Sequence, residues 1–141
     1  MSEGSSTSGG EHFFDIAALA ATLPDTSDTM LRDLRLVDRE AASCRIFRVY
    51  RPAPLHFHTC SDEYLYVLQG RAVMTVEGET RAVGPGELLH FQRNAVHGTP
   101  AVLEHPFIVL AIDTPRRPPD DVHFVNPADG TPQSFIKTEV S

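Results

Sequence analysis

The stretch from Leu55 to Gly70 constrains the fold of this chain more than any other. It begins with His56 and His58, has Glu63 five residues after the second histidine, and continues as an uninterrupted β-type run that ends at Gly70. Side chains at positions i and i+2 of a strand point to the same face. The sequence therefore predicts that His56 and His58 project together from one strand, and that Glu63 can join them from the next.

Two imidazoles and a carboxylate on one wall of a pocket are typical ligands of a divalent metal such as Zn, Fe, Ni or Mn. A single histidine on an apolar strand is more often a packed or surface residue. Two histidines at this spacing, followed by a carboxylate, favour a metal site over that alternative. The stretch therefore predicts a metal-binding function as well as a strand.

Short β-type segments separated by glycine and proline turns fill most of the chain after the N-terminal region. Gly70 is interpreted as a turn between two strands of a hairpin, and residues 100–106 as a loop. Short strands at close spacing, with few helices between them, indicate an all-β sandwich or barrel. The predicted strands are 31–37, 43–51, 63–68, 72–76, 80–83, 87–91, 107–112 and 122–125.

The chain has 141 residues, which corresponds to about one domain. Residues 1–10 are rich in serine and glycine and are predicted to be a disordered tail. Region 11–28 is predicted to hold an N-terminal helix over 11–22 and a turn, because its apolar residues recur at helical spacing. The barrel is predicted over 29–126, and 127–141 is read as an irregular C-terminal tail that can dock on it.

Composition excludes several classes of function. The formal net charge is −7, which argues against nucleic acid or an anionic membrane as a partner, because both bind basic surfaces. No apolar run approaches the roughly 20 residues of a membrane span, and residues 1–10 lack the features of a secretory signal. Two cysteines, Cys44 and Cys60, do not make a disulfide framework. These features predict a cytoplasmic protein.

These residues resemble the first of the two motifs of the cupin superfamily, a small jelly-roll β-barrel. That motif reads His-x-His, three or four residues, Glu, six residues and Gly. His56, His58, Glu63 and Gly70 match it in full. The resemblance covers residues 43–113 and implies a single jelly-roll barrel preceded by one helix.

The second cupin motif is matched in part, from Gly86 to His97. It reads Gly, five residues, Pro-x-Gly-x-x-His, with an asparagine further on. Gln92 stands where proline is usual, Asn94 where glycine is usual, and Ala101 where the later asparagine is expected. Asparagine tolerates a positive φ better than other non-glycine residues, so the turn can still form.

An alternative alignment of the second motif takes Pro85 as its proline and His90 as its histidine. It lacks the residue between proline and glycine, and it interrupts a good strand. The alignment that ends at His97 is therefore favoured.

By this resemblance, His56, His58, Glu63 and His97 bind one divalent transition metal inside the barrel. Four protein ligands leave one or two positions open for a small-molecule substrate. The resemblance implies a metal-dependent, dioxygenase-like enzyme that acts on a small organic substrate chelating through oxygen, with Glu63 also able to act as a catalytic base. The alternatives are a metal-dependent isomerase or lyase, and a non-catalytic cupin that binds metal or a small ligand. Cupins of this size also suggest a homodimer, to which the predicted helix could contribute.

Other residues near these motifs are interpreted more conservatively. His90 is read as an ordinary strand residue, with a supporting role in the cavity as the alternative. Cys60 is read as a small buried residue, and Tyr64 and Tyr66 as packed between layers of the barrel. Arg116–Arg117 is read as a solvated loop, with an anion site at the barrel mouth as the alternative.

Overall fold

The computed structural model describes residues 12–139, which form nine strands and a few short helices. The predicted disordered tail at 1–10 lies outside the described residues. The helices are α1 (Ile16–Ala20), a 3-10 helix (Pro127–Asp129) and α2 (Pro132–Phe135). The strands are β1 (Leu31–Asp38), β2 (Ser43–Val49), β3 (Ala53–Phe57), β4 (Asp62–Val76), β5 (Glu79–Val83), β6 (Leu88–Phe91), β7 (His97–Thr114), β8 (His123–Phe124) and β9 (Ile136–Thr138).

Two long antiparallel strands, β4 and β7, pass through both halves of the barrel. The first residues of β4 pair with β6 and its last residues pair with β5. In the same way, β7 pairs with β3 near its start and with β2 near its end. The resulting order is β5-β4-β7-β2-β1-β9, with β8 joined to β3. A sheet rolled up around shared long strands confirms the predicted all-β jelly-roll barrel.

Gly70 lies inside β4, so the prediction of a hairpin turn there was wrong. Its φ is +81°, and the register against β7 shifts repeatedly between Val67 and Ala72. A Cβ at Gly70 would lie 2.1 Å from the carbonyl oxygen of Pro106. The predicted loop at 100–106 is likewise part of β7. A glycine with positive φ serves a bulge in a continuous strand as well as a turn.

The N-terminal helix is shorter than the predicted 11–22. It begins after Asp15, whose side chain caps it, and spans five residues. Leu19 is buried against the outer face of the sheet, in one cluster with Ile46 and Ile108. The apolar spacing that predicted a helix therefore serves packing on the chain's own barrel.

The C-terminal segment is more ordered than the irregular tail predicted over 127–141. Strand β9 pairs in parallel with β1, and Ile136 lies opposite Leu31. Phe135 is buried, with its ring centroid 4.7 Å from that of His56. Up to residue 139 this segment therefore closes one side of the barrel next to the candidate site.

The core inside the barrel is apolar on most sides, with Val67, Phe107 and Val109 among its least exposed members. Buried charged and histidine side chains occupy the remaining part of the interior. Within residues 12–139, no helix has the length and apolar character needed to cross a membrane.

Candidate metal centre

The structure brings His56, His58 and His97 together inside the barrel. His56 lies on β3 opposite His97 at the start of β7, and His58 follows the end of β3. Each is at most 5% exposed. One potential ligand atom from each ring lies within 4.8 Å of the other two. The three histidines therefore form a group that could hold a metal ion.

Backbone carbonyl groups fix the orientation of all three rings. Each Nδ1 lies within hydrogen-bond distance of a carbonyl oxygen and donates to it in the matching tautomer, which leaves Nε2 as an unprotonated ligand atom. The pairs are His56 with Pro54 at 2.7 Å, His58 with Asp121 at 2.7 Å, and His97 with Ala95 at 2.9 Å. The chain thus presents three preoriented Nε2 lone pairs.

Burial keeps these histidines neutral. It lowers the pKa of His56 to about 3 and that of His97 to about 4, and it lowers the pKa of His58 well below its ordinary value. Neighbouring positive charge, including that of Arg117, acts in the same direction. A metal therefore meets unprotonated ligands at neutral pH and displaces no ring protons when it binds.

Glu63 on β4 lies beside the histidines, and its two oxygens have different surroundings. Oε2 accepts a hydrogen bond of 3.0 Å from Arg45. Oε1 is buried without a hydrogen-bond partner among the described residues, 3.6 Å from Nε2 of His58 and 3.9 Å from Nε2 of His97. Burial and the nearby Asp113 raise the pKa of Glu63 to about 7.

The donor set fits a divalent transition metal. Three unprotonated imidazole nitrogens lie close together, and Oε1 of Glu63, which has no donor among the described residues, lies within 3.9 Å of two of them. Imidazole nitrogens and a carboxylate oxygen are typical ligands of such an ion. His56, His58, His97 and Glu63 are the residues that would hold it. This full four-ligand set stays a prediction, whereas the grouping of the three histidines is a feature of the structure.

A buried charged cluster supports Glu63 from behind. Arg45 is 1% exposed and lies 2.9 Å from Asp113, 3.0 Å from Glu63 and 3.4 Å from Asp33. Ser43 also donates to Asp113 at 3.1 Å. Burial alone would lower the pKa of the guanidinium, but the three carboxylates outweigh this and raise it. Sequence reasoning missed this cluster, which assembles from four strands.

Arg117 lies in the loop after β7 and lines the same cavity as the histidines and Glu63. It is only 3% exposed, so the prediction of a solvated loop was wrong for this residue. Its Nε lies 3.6 Å from the nearest oxygen of Asp113, beyond hydrogen-bonding range. The neighbouring Arg116 is exposed and pairs with Asp38 at the surface.

Asp121 organises the loop between His58 and Glu63. Its carboxylate accepts hydrogen bonds from the backbone N–H groups of Thr59 and Cys60, the Thr59 hydroxyl and the His123 ring. Burial alone would raise its pKa, but these donors lower it to about 2. Because its backbone oxygen also orients His58, this acid positions the ligand loop. Sequence reasoning did not single it out.

Of the other predictions around the site, some agree with the structure and others do not. His90 is on the outer face and stacks on Tyr64 with ring centroids 4.7 Å apart, so the structure brings His97 rather than His90 to the cluster. Tyr64 and Tyr66 are 38% and 42% exposed, and Cys60 is exposed as well; the predicted burial of these three residues was wrong. Asn94 has a φ of +71°, as expected for the position where glycine is usual.

Solved structures share the barrel at low sequence identity. KdgF from a Halomonas species is 24% identical, covers 62% of this chain and 81% of its own, and has a TM-score of 0.58. A protein with a double-stranded β-helix domain from Klebsiella pneumoniae is 14% identical, with 76% and 92% coverage and a TM-score of 0.63. An RmlC-like cupin from Shewanella frigidimarina is 17% identical, with 66% and 82% coverage and a TM-score of 0.57. These similarities show the fold alone.

The family comparison agrees with the fold. No curated protein matches the chain by sequence. The family model described as Cupin domain matches residues 49–113, a range that contains His56, His58, Glu63 and His97. Together with the jelly-roll barrel, this match identifies residues 49–113 as a cupin domain.

Proposed function

We propose that the protein is a metal-dependent enzyme whose single divalent transition metal is held by His56, His58, His97 and Glu63. One observation carries the proposal: three Nε2 atoms with anchored Nδ1 partners lie in one cavity with a carboxylate oxygen that has no donor. In this reading the substrate is a small organic molecule that chelates through oxygen atoms. The metal is Fe, Zn, Ni or Mn, as the donor set allows.

The residues around the proposed metal have separate tasks. The backbone carbonyls hold the rings of the three histidines so that little ordering is needed when the ion binds. Arg45 holds one oxygen of Glu63 and leaves the other free to face the cavity. A bound divalent ion would supply Lewis acidity or, as iron, a site for oxygen chemistry. Apolar walls that include Phe91 and Phe107 limit the access of water.

Dioxygenase-like oxidation remains the leading reaction class in the proposal. A metal-dependent isomerase or lyase is the second candidate, and Oε1 of Glu63, which has no donor among the described residues, favours it. In that reaction Glu63 would leave the metal and accept and return a proton, as a general base must. A non-catalytic metal-binding cupin is the third outcome that the experiments below distinguish.

Metal analysis tests the centre. Protein purified without a nickel column is expected to carry one transition-metal ion per chain. His97→Ala is expected to lose this ion, whereas His90→Ala is the matched control and should keep it, because His90 lies outside the cavity. Equal metal content in both variants would contradict the proposed ligand set.

Substrate assays test the reaction class. Oxygen uptake by the iron-loaded protein with a panel of diketones and catechols supports oxidation. Conversion of a chelating substrate by zinc- or manganese-loaded protein without oxygen uptake supports the isomerase or lyase. Tight binding of chelators with no turnover under either condition would contradict an enzymatic function and leave a binding protein.

The predicted homodimer and cytoplasmic location are further parts of this proposal. The predicted role of the N-terminal helix in dimer formation is weakened by the structure, because Leu19 of α1 already packs on the chain's own sheet. Sedimentation velocity of the full chain measures the oligomeric state, and a mass of one chain at micromolar concentration would contradict the homodimer.

A further inference from the structure

Arg117 is the buried charged residue that the proposed metal centre leaves without a task. Its Nε and Nη1 atoms are inaccessible and have no hydrogen-bond partner among the described residues. The side chain nevertheless lines the cavity that holds His58 and Glu63. A guanidinium has five N–H donors and stays protonated even when burial lowers its pKa, as it does here. Buried donors of this kind need an acceptor.

Among the described residues, no carboxylate forms a hydrogen bond with Nε or Nη1 of Arg117. Asp113 accepts hydrogen bonds from Ser43 and from Arg45, the latter to both oxygens. Arg45 also holds one oxygen of Glu63. The separation of 3.6 Å between Arg117 and Asp113 contributes Coulomb attraction without a hydrogen bond. The described residues therefore leave Nε and Nη1 of Arg117 without an acceptor, which a ligand in the cavity could supply.

Charge balance points to an anion. The cluster contains the carboxylates of Asp33, Asp113 and Glu63 and the guanidiniums of Arg45 and Arg117. With all of them ionised, it carries one net negative charge. A divalent ion would turn this into one net positive charge inside a low-dielectric interior, where unbalanced charge is costly. A ligand with one negative charge restores neutrality.

We propose that Arg117 binds the carboxylate of the substrate, which makes the substrate class small organic acids with one carboxylate. The inference rests on the proposed function, because the same molecule would reach the metal with its remaining oxygen atoms. A carboxylate carries the single negative charge that the charge balance requires, and its two oxygens match the planar fork of the guanidinium. Arg117 then acts as a specificity-determining residue for the metal centre.

Glycolate and glycolamide form a matched pair of probes. Both carry a 2-hydroxyl group and have nearly the same size, but only glycolate is charged. Titration calorimetry of the zinc-loaded full chain should show glycolate affinity falling at least tenfold in Arg117→Met. Glycolamide affinity should be the same in both proteins. If Arg117→Met binds glycolate as tightly as the unmodified protein, the inference is overturned.

Arg116→Met is the control variant, since it removes an adjacent arginine that lies at the surface. It should bind glycolate like the unmodified chain, and an equal loss in both variants would overturn the inference. Arg117→Lys provides a second test if Arg117→Met does not fold. This variant keeps the charge but loses the fork, so glycolate affinity should fall at least threefold; unchanged affinity would overturn the inference.

Metal content separates this inference from the proposed function. Zinc retained by the unmodified protein and by Arg117→Met, with unchanged glycolate affinity, overturns the role of Arg117 alone. If the unmodified protein retains none of zinc, iron, nickel and manganese, the proposed function fails, and the metal-free protein is titrated instead. Glycolate binding that depends on Arg117 would then support a carboxylate site, and its absence would overturn the inference as well.

Discussion

The barrel contains two buried guanidiniums whose surroundings differ sharply. Arg45 points into a cluster of three carboxylates, all within 3.4 Å of its nitrogen atoms. Arg117 is equally hidden from solvent, yet within residues 12–139 its closest carboxylate oxygen is 3.6 Å away and two of its nitrogens have no hydrogen-bond partner. One guanidinium is satisfied by the chain, and the other is not.

This difference gives the two arginines different roles: Arg45 stabilises the folded site, whereas Arg117 is available to bind a ligand. The pairs of Arg45 hold Glu63 in place behind the histidines, so this side of the site is part of the folded structure. A buried group left unsatisfied on the cavity side costs folding free energy and is available to a ligand. The following predictions test this division, from the largest expected effect to the smallest.

Arg45→Met should strongly destabilise the protein. It leaves Asp33, Asp113 and Glu63 buried without their counter-charge, which typically costs about 3–5 kcal/mol. Urea unfolding measures the loss. Arg71→Met is the control, because Arg71 is half exposed and its ion pair at 3.9 Å is weak, so its effect should stay within about 0.5 kcal/mol. Similar losses of free energy of unfolding in both variants would show that the buried pairs of Arg45 stabilise the protein no more than an exposed ion pair does.

Asp121→Ala tests the carboxylate on the loop next to His58 that accepts several hydrogen bonds from the protein itself. The substitution leaves the N–H groups of Thr59 and Cys60 without their acceptor in these partly buried hydrogen bonds, and hydrogen bonds to a charged group contribute about 1.5–3 kcal/mol. We expect a loss of free energy of unfolding of about 2 kcal/mol, measured in urea. Asp62→Ala is the control, since Asp62 bonds Arg93 at the exposed end of the same loop, and an equal loss there would contradict the role of Asp121.

Acidification of the metal-free protein tests whether burial lowers the pKa of the histidines. The folded pKa of His97, about 4, lies below the ordinary value of 6.5, so the unfolded chain takes up the proton first. The stability that His97 contributes is complete above pH 6.5 and is lost as pH falls toward 4, by about 2 kcal/mol at pH 5. Glu63 has a raised pKa, so its contribution to stability changes in the opposite direction. It partly offsets the loss of stability from the histidines between pH 7 and 4.5.

A variant without the His97 ring isolates the contribution of that ring to the pH dependence of stability. When the pH falls from 7 to 5, the free energy of unfolding of His97→Gln should decrease by about 2 kcal/mol less than that of the unmodified protein, because one titrating group is gone. His90→Gln should keep the original pH dependence, as His90 is exposed. If His97→Gln shows the original pH dependence too, burial does not control the protonation of His97.

Arg117→Met should have the smallest effect on folding. It removes a buried guanidinium whose Nε and Nη1 have no hydrogen-bond partner among the described residues. The desolvation cost that is avoided offsets the Coulomb attraction to Asp113 that is lost. We expect the free energy of unfolding to stay within about 1 kcal/mol of the original value. A loss as large as that of Arg45→Met would show that Arg117 is paired in solution and would remove the basis of the comparison.

Much of the site could be predicted from local spacing. The β pattern around His56 and His58, the distance to Glu63 and the turn that presents His97 are short-range features, and period-two alternation decides which side chains share a face. Asn94 is a further example, since its tolerance of positive φ is a property of the residue itself. The all-β fold followed from the same short-range pattern.

The burial of Arg45 and Arg117, the continuity of β4 through Gly70 and the outward position of Tyr64 were decided by the tertiary structure. Each depends on which strand lies opposite and in which register, and such pairings join residues far apart in sequence. The chain alone therefore determined the histidines and the barrel, because their signals are local. Only the assembled barrel decided which arginine is paired and which faces the cavity, because a charge is satisfied by neighbours in space.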